Sequence, residues 1–205
     1  MNAQSSRRIE IPFKGDRDYL QGPDLYNALF DFLTEQPGTT LSQIQFIAHD
    51  FIRTNSVLLQ RFDDPAAIDK HTWPSFIVAR IDNVVIAAAA RGESENTERR
   101  EEPYDEGPVR ETAEIDGNTI RCRAPFACSP IEQLVSMKKY LLQTMFPEQK
   151  VKWVYARSSF ATPLDAASSE MAVSCVTKAP GRIYQSNVFC DGNPAGEIYF
   201  MGMSL

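Results

Sequence analysis

Two kinds of apolar spacing recur along this chain, in the same order, twice. The first is alternation. Ile9, Ile11, Pro12 and Phe13 alternate near the start, and Ile120, Cys122, Ala124, Pro125 and Phe126 do so again after the midpoint. A period of two predicts a strand with one buried face. The second is helical spacing. Leu25, Ala28, Leu29, Phe32 and Leu33 fall three and four apart, with Tyr26 and Phe30 widening the stripe. Leu134, Met137, Leu141 and Met145 do the same, flanked by Val135 and Leu142. Such stripes predict two helices, the first apolar enough to be covered on most sides. Gly22-Pro23 and Ser129-Pro130 mark the starts, because proline suits a first turn where its missing N–H has no intrahelical partner anyway. Ser129 and Glu132 have the spacing of a capping box. Pro37-Gly38 and Pro147 mark the ends.

Strand-like stretches follow each helix. After the first come 44–52, 57–62, 76–81 and 84–90; after the second come 151–157, 171–176, 183–190 and 197–201. Asp82-Asn83 joins the last pair of the first set and Asp191-Gly192-Asn193 that of the second, both hairpin signals. Phe46-Ile47-Ala48-His49 can be laid on Val154-Tyr155-Ala156-Arg157, which also sets Thr54 on Thr162. The repeated order of strand, helix and strands predicts two halves of about a hundred residues each. Residues 1–92 form the first half and 113–205 the second; the alternative is two unrelated α+β domains. Between them, 93–112 is dense in Glu and Arg, broken by Pro103, Gly107 and Pro108, and poor in aliphatic residues. Such a stretch buries too little apolar surface to offset ordering and is expected as a mobile linker.

Composition narrows the function by exclusion. A net charge of -6 over 205 residues leaves no large basic surface, so nucleic acid is not an expected partner. The four cysteines, at 122, 128, 175 and 190, and the two histidines lack the close pairing that zinc sites use, and no metal is expected. A disulfide scaffold is not expected at this length, which points to a reducing, cytoplasmic setting. No apolar run approaches membrane-spanning length, and the start carries no signal-peptide core. G-x-S-x-G, P-loop, G-x-G-x-x-G and HExxH motifs are absent, so no cofactor is expected.

A buried helix followed by antiparallel strands, twice over, with a closing Asp-Gly turn and a last strand of small and apolar residues ending in Gly202, resembles the hot-dog fold. The implied class is α+β, a double hot-dog in which each half wraps an antiparallel sheet around a long buried helix. The resemblance implies a protein that acts on or binds acyl thioesters of coenzyme A or acyl carrier protein, as a thioesterase or divergent 3-hydroxyacyl dehydratase, or as a non-catalytic acyl-binding or scaffold protein. It implies an acyl chain lying beside the central helix where paired units meet. Helix N-termini near Gly22–Leu25 and Ser129–Glu132 would polarise the thioester carbonyl. Further association into a homo-oligomer is common for such folds.

The same resemblance assigns candidate residues. Asp24 and Glu132 are the carboxylates that would activate water, although an acid in a first helical turn also suits the helix dipole. A family dehydratase carries a histidine ahead of the helix and an acid on it; these positions are Asp16, in Phe13-Lys14-Gly15-Asp16, and Asn27. His49 titrates near neutrality and is either a base or a structural surface histidine. His71 is expected at the surface. Cys128, at the second helix start, is either a stabilised thiolate or a small structural residue.

Overall fold

The computed structural model describes residues 5–93, 99–126, 128–177 and 181–204. The chain divides into two compact units, Met1–Pro103 and Tyr104–Leu205.

The first unit contains β1 (Ser6–Glu10), β2 (Phe13–Lys14), α1 (Gly22–Thr34), β3 (Ser42–Ala48), β4 (Ser56–Phe62), β5 (Ser75–Ile81), β6 (Val84–Gly92) and β7 (Arg100–Glu101). Its antiparallel strands run in the order β1-β4-β6-β5-β3. α1 packs on β4, β5 and β6, burying Leu25, Tyr26, Leu29, Phe32 and Leu33, the stripe its spacing predicts. Ala87, Ala88, Ala89 and Ala90 of β6 are all fully buried because both faces of this strand are covered. On the face away from Ala88 and Ala90, Ala87 and Ala89 pack with Phe62 and Trp73. Trp73 comes from the 63–74 connection, which folds back over the sheet.

The second unit contains α2 (Gly107–Thr112), β8 (Glu114–Asp116), β9 (Thr119–Arg123), α3 (Pro130–Met145), β10 (Val151–Phe160), β11 (Glu170–Cys175), β12 (Ile183–Cys190) and β13 (Asn193–Ser204). Its strand order is β10-β13-β12-β11-β9-β8, and α3 packs on β9 and β11.

Each unit thus has a sheet-packed helix preceded by two strands and followed by four longer ones, with the two-residue β7 added in the first unit. The last two strands, however, occupy exchanged places. In the second unit β13 lies beside β10; in the first it is β5, the earlier strand of the hairpin, that lies beside β3. To reach that place the chain leaving β4 must pass the position of β6, and the long 63–74 segment makes the crossing. Element order could suggest the repeat but not this exchange, because strand neighbours are set by pairing partners distant in sequence.

Other differences from expectation have local causes. The 44–52 strand stops at Ala48, because beyond it the chain turns to lie under the approach to α1, with Ile52 O accepting from Leu20 N at 2.9 Å. Two elements lie inside the span expected as a linker. β7 pairs parallel with β2, and α2 follows its cap residue Glu106, whose carboxylate holds Lys139 Nζ at 2.8 Å. Residues 94–98 of that span lie outside the described residues. Both hairpin turns form as read: Asp82 and Asn83, at φ 47° and 72°, and Asp191 and Gly192, at φ 49° and 76°, adopt the left-handed conformation that tight hairpins use.

Candidate functional site

The two helix starts, so alike in sequence, differ in how their backbone N–H groups are treated. A helix begins with N–H groups that have no intrahelical acceptor. At α3 they are sealed. Ser129 accepts from Glu132 N, while the Glu132 carboxylate takes Ser129 N at 2.9 Å and Ser129 Oγ at 2.6 Å, the predicted capping box. Glu132 is thereby committed to the cap. Cys128 beside it is no thiolate: burial, with Glu132 adding to it, pushes its thiol up to about 11.

At α1 the cap position is Gln21, extended at φ −77° and ψ 148°, with no side-chain cap hydrogen bond. Gln21 is 9 % exposed, and its Nε2 is buried without a hydrogen-bond partner among the described residues. A buried amide left so is costly and calls for a partner. Gly22 and Asp24 follow, both half-buried, and Leu25 is buried. Asn27 is half-buried one turn on, and Asp16 is exposed. Gln21 escaped the sequence reading, although its signal was there: a long polar side chain where Ser, Thr, Asp or Asn usually caps.

The segment leading into α1 rests on residues 51–53. Tyr19 packs against Phe51 with ring centroids 4.4 Å apart, Leu20 is tied to Ile52, and Asp18 pairs with Arg53. Phe51 is also part of a half-open cavity of about 380 Å³ lined by His49, Asp50, Phe51, Lys70, His71 and Pro74. The exchanged strand order creates it. Because β5 lies beside β3, the segment entering β5 lies beside the end of β3, with His49 N donating to Pro74 O at 2.7 Å. The chain's two histidines, 22 positions apart in sequence, thus line one cavity. His49 titrates below its ordinary range, through partial burial first and then the positive fields of Lys70 and His71. In the second unit β13 lies beside β10 and is entered by the tight Asp191-Gly192 turn, so no comparable segment exists there.

Along α3 the second unit buries three polar side chains, Gln133 and Ser136 one turn apart and Lys138 on another face. Gln133 is 3 % exposed, and Ser136 Oγ has no hydrogen-bond partner among the described residues. Lys138 is fully buried, its Nζ 3.2 Å from Cys175 Sγ and bonded to Ser186 Oγ. Burial pulls Lys138 below the usual lysine range. Spacing from Leu134 and Leu142, four residues either side, could have flagged it. Cys122, Cys128, Cys175 and Cys190 are all free, and no described helix is long and apolar enough to cross a membrane.

No family model and no curated protein sequence matches the chain. Solved structures do. The chain is similar to a trans-AT PKS dehydratase domain from Brevibacillus brevis, at 8% identity and a TM-score of 0.55 over 100% of this chain and 96% of that one. It is similar to an acyl-ACP thioesterase from Bacteroides thetaiotaomicron, at 10% identity and a TM-score of 0.52 over 98% of both chains. A hot-dog-fold protein from Alicyclobacillus acidocaldarius matches at 9% identity and a TM-score of 0.50, over 100% and 95%. The fold is therefore α+β and of the hot-dog kind, as the element order implied.

Proposed function

We propose that this chain is a double hot-dog protein that binds acyl thioesters of coenzyme A or acyl carrier protein at the start of α1 and hydrolyses them there. The observation that carries the reading is the open helix start: an uncapped first turn with a buried, unpartnered Gln21 amide beside it. Its similarity to an acyl-ACP thioesterase and to a PKS dehydratase domain supports this substrate class. A thioester carbonyl oxygen at the α1 start would meet backbone N–H groups and Gln21 Nε2, donors aimed where negative charge develops. Asp24 takes a proton from water, whose oxygen adds to the carbonyl carbon. The carbon–sulfur bond then breaks, and the proton passes to the departing thiolate, leaving a carboxylic acid and a free thiol. Hydrolysis is favoured over dehydration because Asp16 and Asn27 stand where that chemistry uses a histidine and an acid. Four free cysteines suit a cytoplasmic setting.

Binding without turnover is the second reading, favoured by the sealed start of α3, where Glu132 is held by Ser129. Incubating the protein with coenzyme A thioesters of graded chain length, and following free thiol, separates the two. Asp24→Asn is expected to lower turnover about 100-fold or more while thioesters still bind. Turnover that survives this change removes Asp24 from the mechanism. Absence of both binding and turnover across all chain lengths overturns the reading.

A further inference from the structure

Lys138 is fully buried in the second unit and takes no part in the thioester chemistry proposed above. Three elements build its surroundings. Cys175, the last residue of β11, and Ser186 of β12 are direct partners across that strand pair, so their side chains lie on one face of the sheet. α3 packs against that face and brings Lys138 to them. Its Nζ lies 3.2 Å from Cys175 Sγ and donates to Ser186 Oγ. Among the described residues this thiol and this hydroxyl are the hydrogen-bond partners of the amine, and no carboxylate pairs with it. A buried ammonium without a counter-charge is costly, and burial accordingly pulls Lys138 below the usual lysine range. A neutral amine is a nucleophile, and here it rests against an oxidisable sulfur. The other cysteines have oxygen neighbours instead. Cys122 Sγ meets Thr112 Oγ1 at 3.4 Å, Cys128 Sγ faces Gln133 Oε1 at 3.7 Å, and Cys190 lies beside the Ser168 hydroxyl. Cys175 is free, and the chain leaves β11 for the surface directly after it, Val176 being exposed.

We propose that Lys138 and Cys175 are a redox-sensitive pair, which hydrogen peroxide joins through a nitrogen–sulfur bond that ties α3 to β11. The thiol first passes its proton to the amine, leaving the thiolate, the form that attacks an oxidant. The thiolate sulfur takes one oxygen from peroxide as the oxygen–oxygen bond breaks, giving a sulfenic acid and hydroxide. The hydroxide removes the ammonium proton and leaves as water. The neutral amine, held by Ser186 Oγ, then attacks the sulfenic sulfur. The sulfur–oxygen bond breaks, and the departing hydroxide takes a proton from the nitrogen as a second water. Thiol, amine and one peroxide thus give a sulfenamide and two waters, with sulfur oxidised and peroxide reduced. A small thiol reverses it: its sulfur displaces the amine to form a mixed disulfide, and a second thiol restores Cys175. The start of α1 plays no part, so this pair and the thioester site stand or fall separately.

The test exposes the fully reduced chain to hydrogen peroxide and maps its peptides by mass spectrometry without reductant. The expected product joins the peptides that carry Lys138 and Cys175, with two hydrogens lost and no oxygen gained, and added thiol separates them again. The joined chain is also expected to unfold at a higher urea midpoint than the reduced chain, because the link closes a loop in the unfolded state. Lys138→Met and Cys175→Ala are each expected to abolish the joined product. Cys175→Ala leaves the amine in place and removes only the sulfur, so it carries the test even if Lys138→Met repacks the core. Cys175 recovered as a free thiol, or as a sulfinic acid with Lys138 unjoined, overturns the proposal. So does a loss of two hydrogens that maps to a disulfide while Lys138 stays free, or a joined product that persists in Cys175→Ala.

Discussion

At the scale of single residues, two buried polar side chains organise their surroundings in opposite ways. Asn55, fully buried, is satisfied: Nδ2 donates to Ile11 O at 2.8 Å and Arg99 O at 3.0 Å, and Oδ1 accepts Arg99 N at 3.0 Å. One amide thereby joins the segment after β1, the turn before β4 and the segment leading to β7. Asn55→Ala removes the amide partner of Ile11 O and Arg99 N, while Arg99 O keeps Phe13 N, and is expected to cost about 3 kcal/mol, read as a lowered midpoint in urea unfolding. Lys138 is the reverse case. Its amine is enclosed by α3, β11 and β12, with Cys175 and Ser186 as partners, and burial lowers its pKa. The folded state therefore holds its proton less tightly than the unfolded chain does. Stability contributed at this site rises with pH from the depressed value toward about 10.4 and is level above it. Lys138→Met is expected to stabilise the protein at neutral pH by about 1–4 kcal/mol. The advantage of the variant should shrink as pH is raised. An advantage constant with pH would mean that the amine keeps one charge state in both folded and unfolded chains.

At the scale of elements, the hairpin joining β12 to β13 shows how tightly the second unit is closed where the first is open. Gly196 lies at φ 154°, and a Cβ there would overlap Ser159 O and come within 2.9 Å of Phe160 Cα. Neither obstacle is a flexible side-chain tip. Gly196→Ala is expected to cost about 2–4 kcal/mol, the range of steric faults in a packed strand pair, and to weaken protection of the β10–β13 amides in hydrogen exchange. Full protection with unchanged stability would show that the pair has slack. The same hairpin shows what was legible in advance. Its turn residues, like Asp82-Asn83, act within four positions, as do Ser129 and Glu132, so these features could be read from neighbours in the chain. The apolar stripes of α1 and α3 were legible for the same reason. The place of β5 beside β3 was not, since it depends on pairings such as Ala48 with Ser75. Nor was the order within 99–112. Its charges are held by distant partners: Arg100 by the carbonyls of Gly15 and Arg17, and Glu106 by Lys139. At the proposed site, Asp24 could be named as a candidate from its turn position, whereas a pocket lined by both His49 and His71 depends on the crossing segment, which no local pattern announces.

At the scale of the whole molecule, a duplicated element order invites the expectation of two equal sites, and the internal differences between the units argue for one. At α1 the cap residue Gln21 makes no side-chain cap hydrogen bond; at α3 Ser129 and Glu132 form a capping box. The segment beside the end of β3 supplies Lys70 and His71; the place beside the end of β10 is taken by a two-residue turn. α1 presents an apolar row, Leu25, Leu29 and Phe32, whereas α3 buries the polar Gln133 and Ser136 on one face and Lys138 on another. Under the proposed thioester reading, these differences disfavour a second site at α3. A non-hydrolysable acyl-coenzyme A analogue is therefore expected to bind with a stoichiometry of one per chain. It should slow hydrogen exchange at 19–27 while leaving 129–138 unchanged. Two equivalents bound with equal protection at both helix starts would mean that the capping box opens at little cost, and that the asymmetry of the two units is structural without being functional.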